Sequence, residues 1–252
     1  MHPVRVLVLG GTGEARELAG LLAGRPGVEV VTSLAGRVAD PALPKGRTRI
    51  GGFGGADGLA GWLAAERIGA VIDATHPFAA AITASAVAAA GRTGVPLLVL
   101  RRPGWTEGPG DDWRRVPSLA EAAAGLPGDR VFLTVGRKDL AAFAGDVRRF
   151  YLVRSVDPPE PPLPPRTHAV LGRGPFTVDG EAALMREHAV DLLVTKDSGG
   201  PMTAAKLVAA RRLGVPVVMV DRPPAPDAPM VDGVAEALTW LERPGGSSQS
   251  AR

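Results

Sequence analysis

The chain has 252 residues, of which 45% are hydrophobic and 22% charged, with a net charge of +3 and no cysteine. That length suits one large domain or two ordinary ones, and the missing cysteines exclude disulfides, thiolate metal sites and a cysteine nucleophile. Its arginines are scattered and Tyr151 is the only tyrosine, so a nucleic-acid groove, with its dense basic stripe and stacking aromatics, is not expected.

The first predicted strand, Arg5–Leu9, lies too close to Met1 to leave room for a signal peptide. A glycine-rich turn follows, then a helix with Ala15, Leu18, Ala19 and Leu22 on one face. Further strands are expected at Glu29–Thr32, Thr48–Ile50, Ala70–Ala74 and Leu97–Leu100. A second set is expected at Val131–Val135, Phe150–Val153, Ala169–Leu171, Asp191–Thr195 and Val217–Val220. Short apolar strands alternating with helices predict an α/β fold with parallel sheets covered on both faces. The longest helix-like apolar run, 78–90, is too short to span a bilayer. A cytoplasmic monomer, off the membrane, is the default expectation. Two proline-rich segments punctuate the chain: 101–113, taken to divide the halves, and 156–166, read as a stiff connector. The predicted domains are 1–117 and 118–242, with 243–252 as a disordered tail.

The halves echo one another. Residues 75–103 (THPFAAAITASAVAAAGRTGVPLLVLRRP) align without a gap on 195–223 (TKDSGGPMTAAKLVAARRLGVPVVMVDRP), with eleven of 29 positions identical. Three of the matches are alanines, but the shared GVP and RP are harder to attribute to composition. The echo predicts two related Rossmann-like domains. Ligands of open α/β sheets bind beyond the carboxyl ends of strands, so the active-site cleft is expected between the domains. His76 and Lys196 occupy equivalent positions.

Several strand ends carry chemistry. The opening VLVLGGTGEARELAGLL reads as strand, turn and amphipathic helix, the context in which a glycine motif cradles phosphate. Gly11, Thr12 and Gly13 fit that role, although Arg16 stands where a third glycine is usual and Glu14 is an unwelcome charge beside a pyrophosphate. A purely structural turn is the competing reading. The second strand ends in Thr32 and Ser33, with Arg37 beyond and no acid for a ribose 2′-hydroxyl. A hydroxyl and a cation suit a 2′-phosphate, so Ser33 and Arg37 favour NADPH over NADH, unless they only cap and solvate a loop. GGFGGADG (51–58) reads equally as a lid or as a glycine-rich helix start.

DATHPFA (73–79) closes a buried strand. Thr75 suits the cap of the next helix and Pro77 its first turn; neither role accounts for His76, expected near the nicotinamide. No acidic or histidine cluster in the sequence makes His76 a metal ligand. In TKDSGG, Lys196, Asp197, Ser198 and Gly199 offer charges, a hydroxyl and backbone donors suited to a carboxylate or oxyanion, with Lys206 beyond; a capping box is the alternative. Arg137, Lys138 and Arg173 also follow predicted strands. Tyr151 lacks the lysine four residues on that short-chain dehydrogenases require, and neither G-x-x-x-x-G-K-[ST] nor G-x-S-x-G occurs.

Together, LGGTGEAREL, IDATHPFA, GRGPF and LVTKDSGG with Lys206 resemble the precorrin-6A reductase family of cobalamin biosynthesis, from Val4 to about Leu241. The resemblance implies NADPH-dependent reduction of a corrin precursor to precorrin-6B, with hydride to macrocycle carbon C19 and a proton to C18. It also implies a polycarboxylate macrocycle as substrate, metal-free or carrying cobalt. On that view Gly11, Thr12, Gly13, Ser33 and Arg37 hold NADPH, with Thr75 and His76 at its reactive end. Lys196, Asp197, Ser198, Gly199, Lys206, Arg137, Lys138 and Arg173 line the substrate side. His76, Lys196 and water are the candidate proton donors. A reductase of a smaller anion and a non-catalytic NADPH sensor are the other readings of the same residues.

Overall fold

A computed structural model describes residues 3–36 and 43–242. Arg37 and the segment 243–252 lie outside the described residues. The chain forms two compact units: one runs to Arg102 and resumes at Pro223, and the other is Pro103–Arg222. Each is built on a six-stranded, all-parallel sheet.

In the first unit the elements are β1 (Val4–Leu9), α1 (Gly13–Ala23), β2 (Val28–Leu34), β3 (Arg47–Ile50), α2 (Gly55–Ala65), β4 (Ala70–Asp73), α3 (Ala80–Thr93) and β5 (Leu97–Leu100). From the C-terminal part it takes β12 (Met230–Val231) and α7 (Val234–Glu242). The strand order β12-β5-β4-β1-β2-β3 is doubly wound, and the order reverses between β1 and β4. One face is packed by α1, which buries the expected Ala15, Leu18, Ala19 and Leu22, and by α7. The other is packed by α2 and α3 through Leu59, Leu63, Ala86 and Ala89. Strands buried on both faces explain the continuous apolar runs of β1, β4 and β5.

The second unit contains β6 (Trp113–Val116), α4 (Leu119–Ala124), β7 (Arg130–Thr134), a 3-10 segment (Arg137–Phe143), β8 (Phe150–Ser155), β9 (Thr167–Leu171), α5 (Val178–Glu187), β10 (Leu192–Lys196), α6 (Ala205–Leu213) and β11 (Val217–Val220). Its order, β6-β11-β10-β7-β8-β9, repeats the first sheet strand for strand. The internal echo is therefore structural: β5 and β11 lie at the same 120-residue offset, and Gly94 and Gly214 both close the preceding helix in a left-handed conformation, φ +69° and +64°.

Two strands escaped the sequence reading, and they move the domain boundary from 117/118. β6 follows β5 in the chain yet pairs with β11, and β12 follows β11 yet pairs with β5. Each half thus gives its sixth strand to the other half's sheet, and the divisions fall after Arg102 and Arg222. Both are edge strands. β6 carries the exposed Arg114 and Arg115, and β12 is two residues long, so neither has the apolar run that marks a central strand.

Candidate functional site

In the first unit the chemistry converges on the carboxyl edge of β1, β2 and β4. β1 ends at Leu9, and Gly10 N–H donates to the Ser33 carbonyl at 2.9 Å. Gly11 has φ +120°, a conformation that side-chain-bearing residues rarely adopt, and it turns the chain into α1. Thr12 caps that helix. Its hydroxyl accepts from Ala15 N–H at 3.1 Å and donates to the Ala74 carbonyl at 2.7 Å, tying the turn to the end of β4. Gly13 opens the helix, so the first N–H groups of α1 sit where an anion is stabilised. Glu14, the unwelcome acid, forms a 2.8 Å ion pair with Arg102 just beyond β5. The pairing offsets its charge beside the turn.

The DATHPFA corner is organised by Asp73, whose importance the sequence reading missed. Its carboxylate is 1% exposed and accepts from Thr75 N–H (3.0 Å), the Thr75 hydroxyl (2.7 Å) and the Thr83 hydroxyl (2.6 Å). Thr75 therefore does not take the α3 cap position that the sequence led us to expect. That helix starts at Ala80 behind Ala79, with no side-chain cap. Pro77 likewise precedes the helix, at the second position of a turn closed by Ala79 N–H to the His76 carbonyl at 2.7 Å. The half-buried His76 accepts Phe78 N–H on Nδ1 at 3.2 Å, so its neutral ring carries the proton on Nε2. Thr75, His76 and Arg101 line a largely apolar cavity of about 420 Å³, walled by Ala84 and Val87 of α3 and by Pro224.

Ser33, buried at the end of β2, pairs in register with Arg49 of β3 and accepts from its guanidinium at 3.0 Å. Gly11, Thr12, Gly13, Ser33, Thr75 and His76 thus all fall on one sheet's carboxyl edge.

In the second unit the predicted residues separate into different environments. Lys196 ends β10 and forms an ion pair with Asp139 of the 3-10 segment. Arg137 pairs with Asp157 at 3.4 Å, Lys138 is exposed, and Arg173 lies on the exposed loop after β9. Ser198 donates its N–H to the Lys196 carbonyl at 2.7 Å, and Gly199 is buried against the Pro103 carbonyl. Asp197 is a buried tie point: it accepts from Trp105 N–H and from Arg115, both at 2.9 Å. Lys206, 3% exposed, is the second residue of α6; it donates to the Thr203 carbonyl at 3.0 Å and lies 4.7 Å from the Trp105 ring. Burial, then the nearby Arg154, lower its pKa to about 7 against a partial opposing effect of Glu181. The capping box considered for TKDSGG does not form, since α6 starts after Ala204 with no side-chain cap. Among the described residues no group of three or more His, Asp or Glu side chains is placed to hold a metal ion, and no helix is long and apolar enough to cross a membrane.

These features define a duplicated Rossmann-like α/β protein, with a glycine turn at the switch point of its first sheet. Comparison with known proteins takes this further. The family model CbiJ, described as precorrin-6x reductase CbiJ/CobK, matches residues 5–242. The chain belongs to that family. A precorrin-6A reductase of Rhodococcus erythropolis is 57% identical over 94% of this chain and 97% of its own length, and one of Mycobacterium tuberculosis 52% over the same shares. A cobalt-precorrin-6A reductase of Salmonella typhimurium is 30% identical over 92% of this chain and 91% of its own. A solved structure titled CobK precorrin-6A reductase superimposes with a TM-score of 0.89 at 48% identity, covering 94% of this chain and 96% of that one.

Proposed function

We propose that this chain reduces precorrin-6A to precorrin-6B in cobalamin biosynthesis, with NADPH as reductant. The observation that carries the reading is the Thr12–Ala74 bond, which joins the glycine turn to the DATHPFA corner at the point where strand order reverses. The higher identity to the precorrin-6A reductases than to the cobalt-precorrin-6A reductase supports a metal-free macrocycle.

The residues fit a reduced dinucleotide. Gly11, Thr12 and Gly13 would present backbone N–H groups to its pyrophosphate, and the Glu14–Arg102 pair offsets the one misplaced charge. Ser33, together with Arg37, would meet the 2′-phosphate, and Thr75 and His76 would border the nicotinamide. NADPH, when bound, supplies the hydride that reaches C19. The chain's own part is placement and proton supply. Asp73 fixes the corner that carries His76, and with Nδ1 occupied by Phe78 N–H the Nε2 atom is the one that can hydrogen-bond and orient the water supplying the proton to C18. Lys196, already paired with Asp139, is assigned to the substrate's carboxylates together with Ser198, Arg137, Lys138 and Arg173. Asp197 and Lys206 support that side from the interior.

The test is to mix protein, NADPH and precorrin-6A. NADPH should be consumed as the macrocycle spectrum shifts. Tight NADPH binding with no turnover on authentic substrate would favour a sensor instead.

A further inference from the structure

We propose that Arg49, seated on Phe53 and bonded to Ser33, recognises the 2′-phosphate of the cofactor; the assignment rests on the NADPH reading above. Three independent features of this side chain converge on an anion.

The first is its position. Ser33 and Arg49 face one another in the parallel pairing of β2 and β3, at the carboxyl end of β2. In dinucleotide folds this strand end meets the adenosine ribose, and an acid there would select a free 2′-hydroxyl. Here the position holds a hydroxyl and a guanidinium at 3.0 Å.

The second is its rigidity. Nη1 also donates to the Gly51 carbonyl and Nη2 to the Gly52 carbonyl, both at 2.9 Å. The guanidinium carbon stands 3.8 Å over the Phe53 ring, which itself packs edge-on against Trp62 at 5.4 Å. The GGFGG stretch is thus a platform under a cation. Three of the five guanidinium N–H donors are used, and the other two have no partner among the described residues. A preorganised planar fork suits a phosphomonoester better than a flexible ammonium would.

The third is its charge environment among the described residues. Arg47, two residues earlier on β3, is paired with Glu66 at 2.8 Å, and Arg5 with Glu29 at 2.9 Å. No carboxylate pairs with the half-buried Arg49 among the described residues. Burial lowers its pKa. A desolvated, fixed cation that no described carboxylate neutralises is complementary to an anionic ligand.

The experiment measures the affinities of NADPH and NADH, and of 2′-AMP and 5′-AMP as fragments, for the full chain and for Arg49→Gln, Arg49→Lys and Ser33→Ala. Losing a charge-assisted pair should weaken NADPH and 2′-AMP at least about tenfold in Arg49→Gln, while NADH and 5′-AMP change less than about threefold. Arg49→Lys should fall between, because charge survives and the fork does not. Ser33→Ala should show a smaller loss confined to the same two ligands. Retained NADH binding reports an intact fold; if Arg49→Gln does not fold, Arg49→Lys decides by the same comparison. Equal losses for NADPH and NADH, or unchanged discrimination, would overturn the assignment of Arg49 while leaving the cofactor reading standing. Equal affinity of the unaltered protein for both nucleotides would overturn the cofactor reading and this assignment with it.

Discussion

Replacing Thr83 with valine, alone and together with Asp73→Ala, probes the corner on which the proposed chemistry depends. Asp73 is buried at the end of β4, and its three hydrogen bonds all come from the loop and helix that follow. A hydrogen bond to a charged group contributes roughly 1.5–3 kcal/mol. Thr83→Val removes the 2.6 Å bond and leaves Oδ2 buried with no replacement donor, so a loss of about 2 kcal/mol is expected. Asp73→Ala strands both Thr75 donors and Thr83; because Thr75 and Thr83 are half-buried and partly rehydrate, about 3 kcal/mol is expected rather than the full sum. In the double variant most of the Thr83 penalty should vanish, giving a coupling energy of about 1–2 kcal/mol in urea unfolding. Asp73→Asn, which keeps the shape, should leave NADPH affinity nearly unchanged and lower turnover, since His76 loses its anchored corner. A coupling below about 0.5 kcal/mol, the usual scatter of additive sites, would refute the claim that Asp73 organises this loop through Thr83.

Arg102→Ala should weaken NADPH about fivefold by leaving Glu14 uncompensated at the glycine turn, at a cost near 1 kcal/mol for a partly exposed pair. Adding Glu14→Gln should recover most of the loss, and a loss undiminished in the double variant would contradict this account. Lys206 has a pKa lowered from 10.5 to about 7, so between those values the unfolded chain binds a proton that the folded chain has released. The Lys206 contribution to stability therefore rises with pH across that window. Lys206→Met should be relatively most stabilising at or below pH 7, and its advantage over the unaltered protein should narrow as pH rises; an advantage independent of pH would show that burial does not discharge this amine.

The sequence displays what local pattern and repetition control. The helix face of Ala15, Leu18, Ala19 and Leu22, ten of the twelve strands and the echo of 75–103 in 195–223 all follow from periodicity and direct comparison. The exchanged strands β6 and β12 do not, because their partners lie in the other half and their residues are short or charged. The candidate site divides in the same way. The glycine turn and DATHPFA are contiguous motifs and are legible. Arg49 reaches Ser33 only through the register of two neighbouring strands, sixteen residues apart; its one local signal is an aromatic four residues on, at Phe53. Asp73 read as a strand-end acid, and only its burial beneath Thr75 and Thr83 reveals an organiser. Asp197 and Lys206 read as cleft residues by type, whereas their tertiary neighbours Trp105 and Arg115, supplied by the exchanged segment, draw Asp197 inward and Trp105 covers Lys206.

The central claim is direct reduction of the macrocycle by NADPH, and a labelled single turnover tests it most closely. Protein and metal-free precorrin-6A would be mixed with NADPH deuterated at the transferable nicotinamide position, and the product followed by mass and by the resonance at C19. The account predicts precorrin-6B carrying one deuterium at C19 and a solvent-derived hydrogen at C18. Unlabelled product, or an unchanged macrocycle in the presence of bound NADPH, would contradict it.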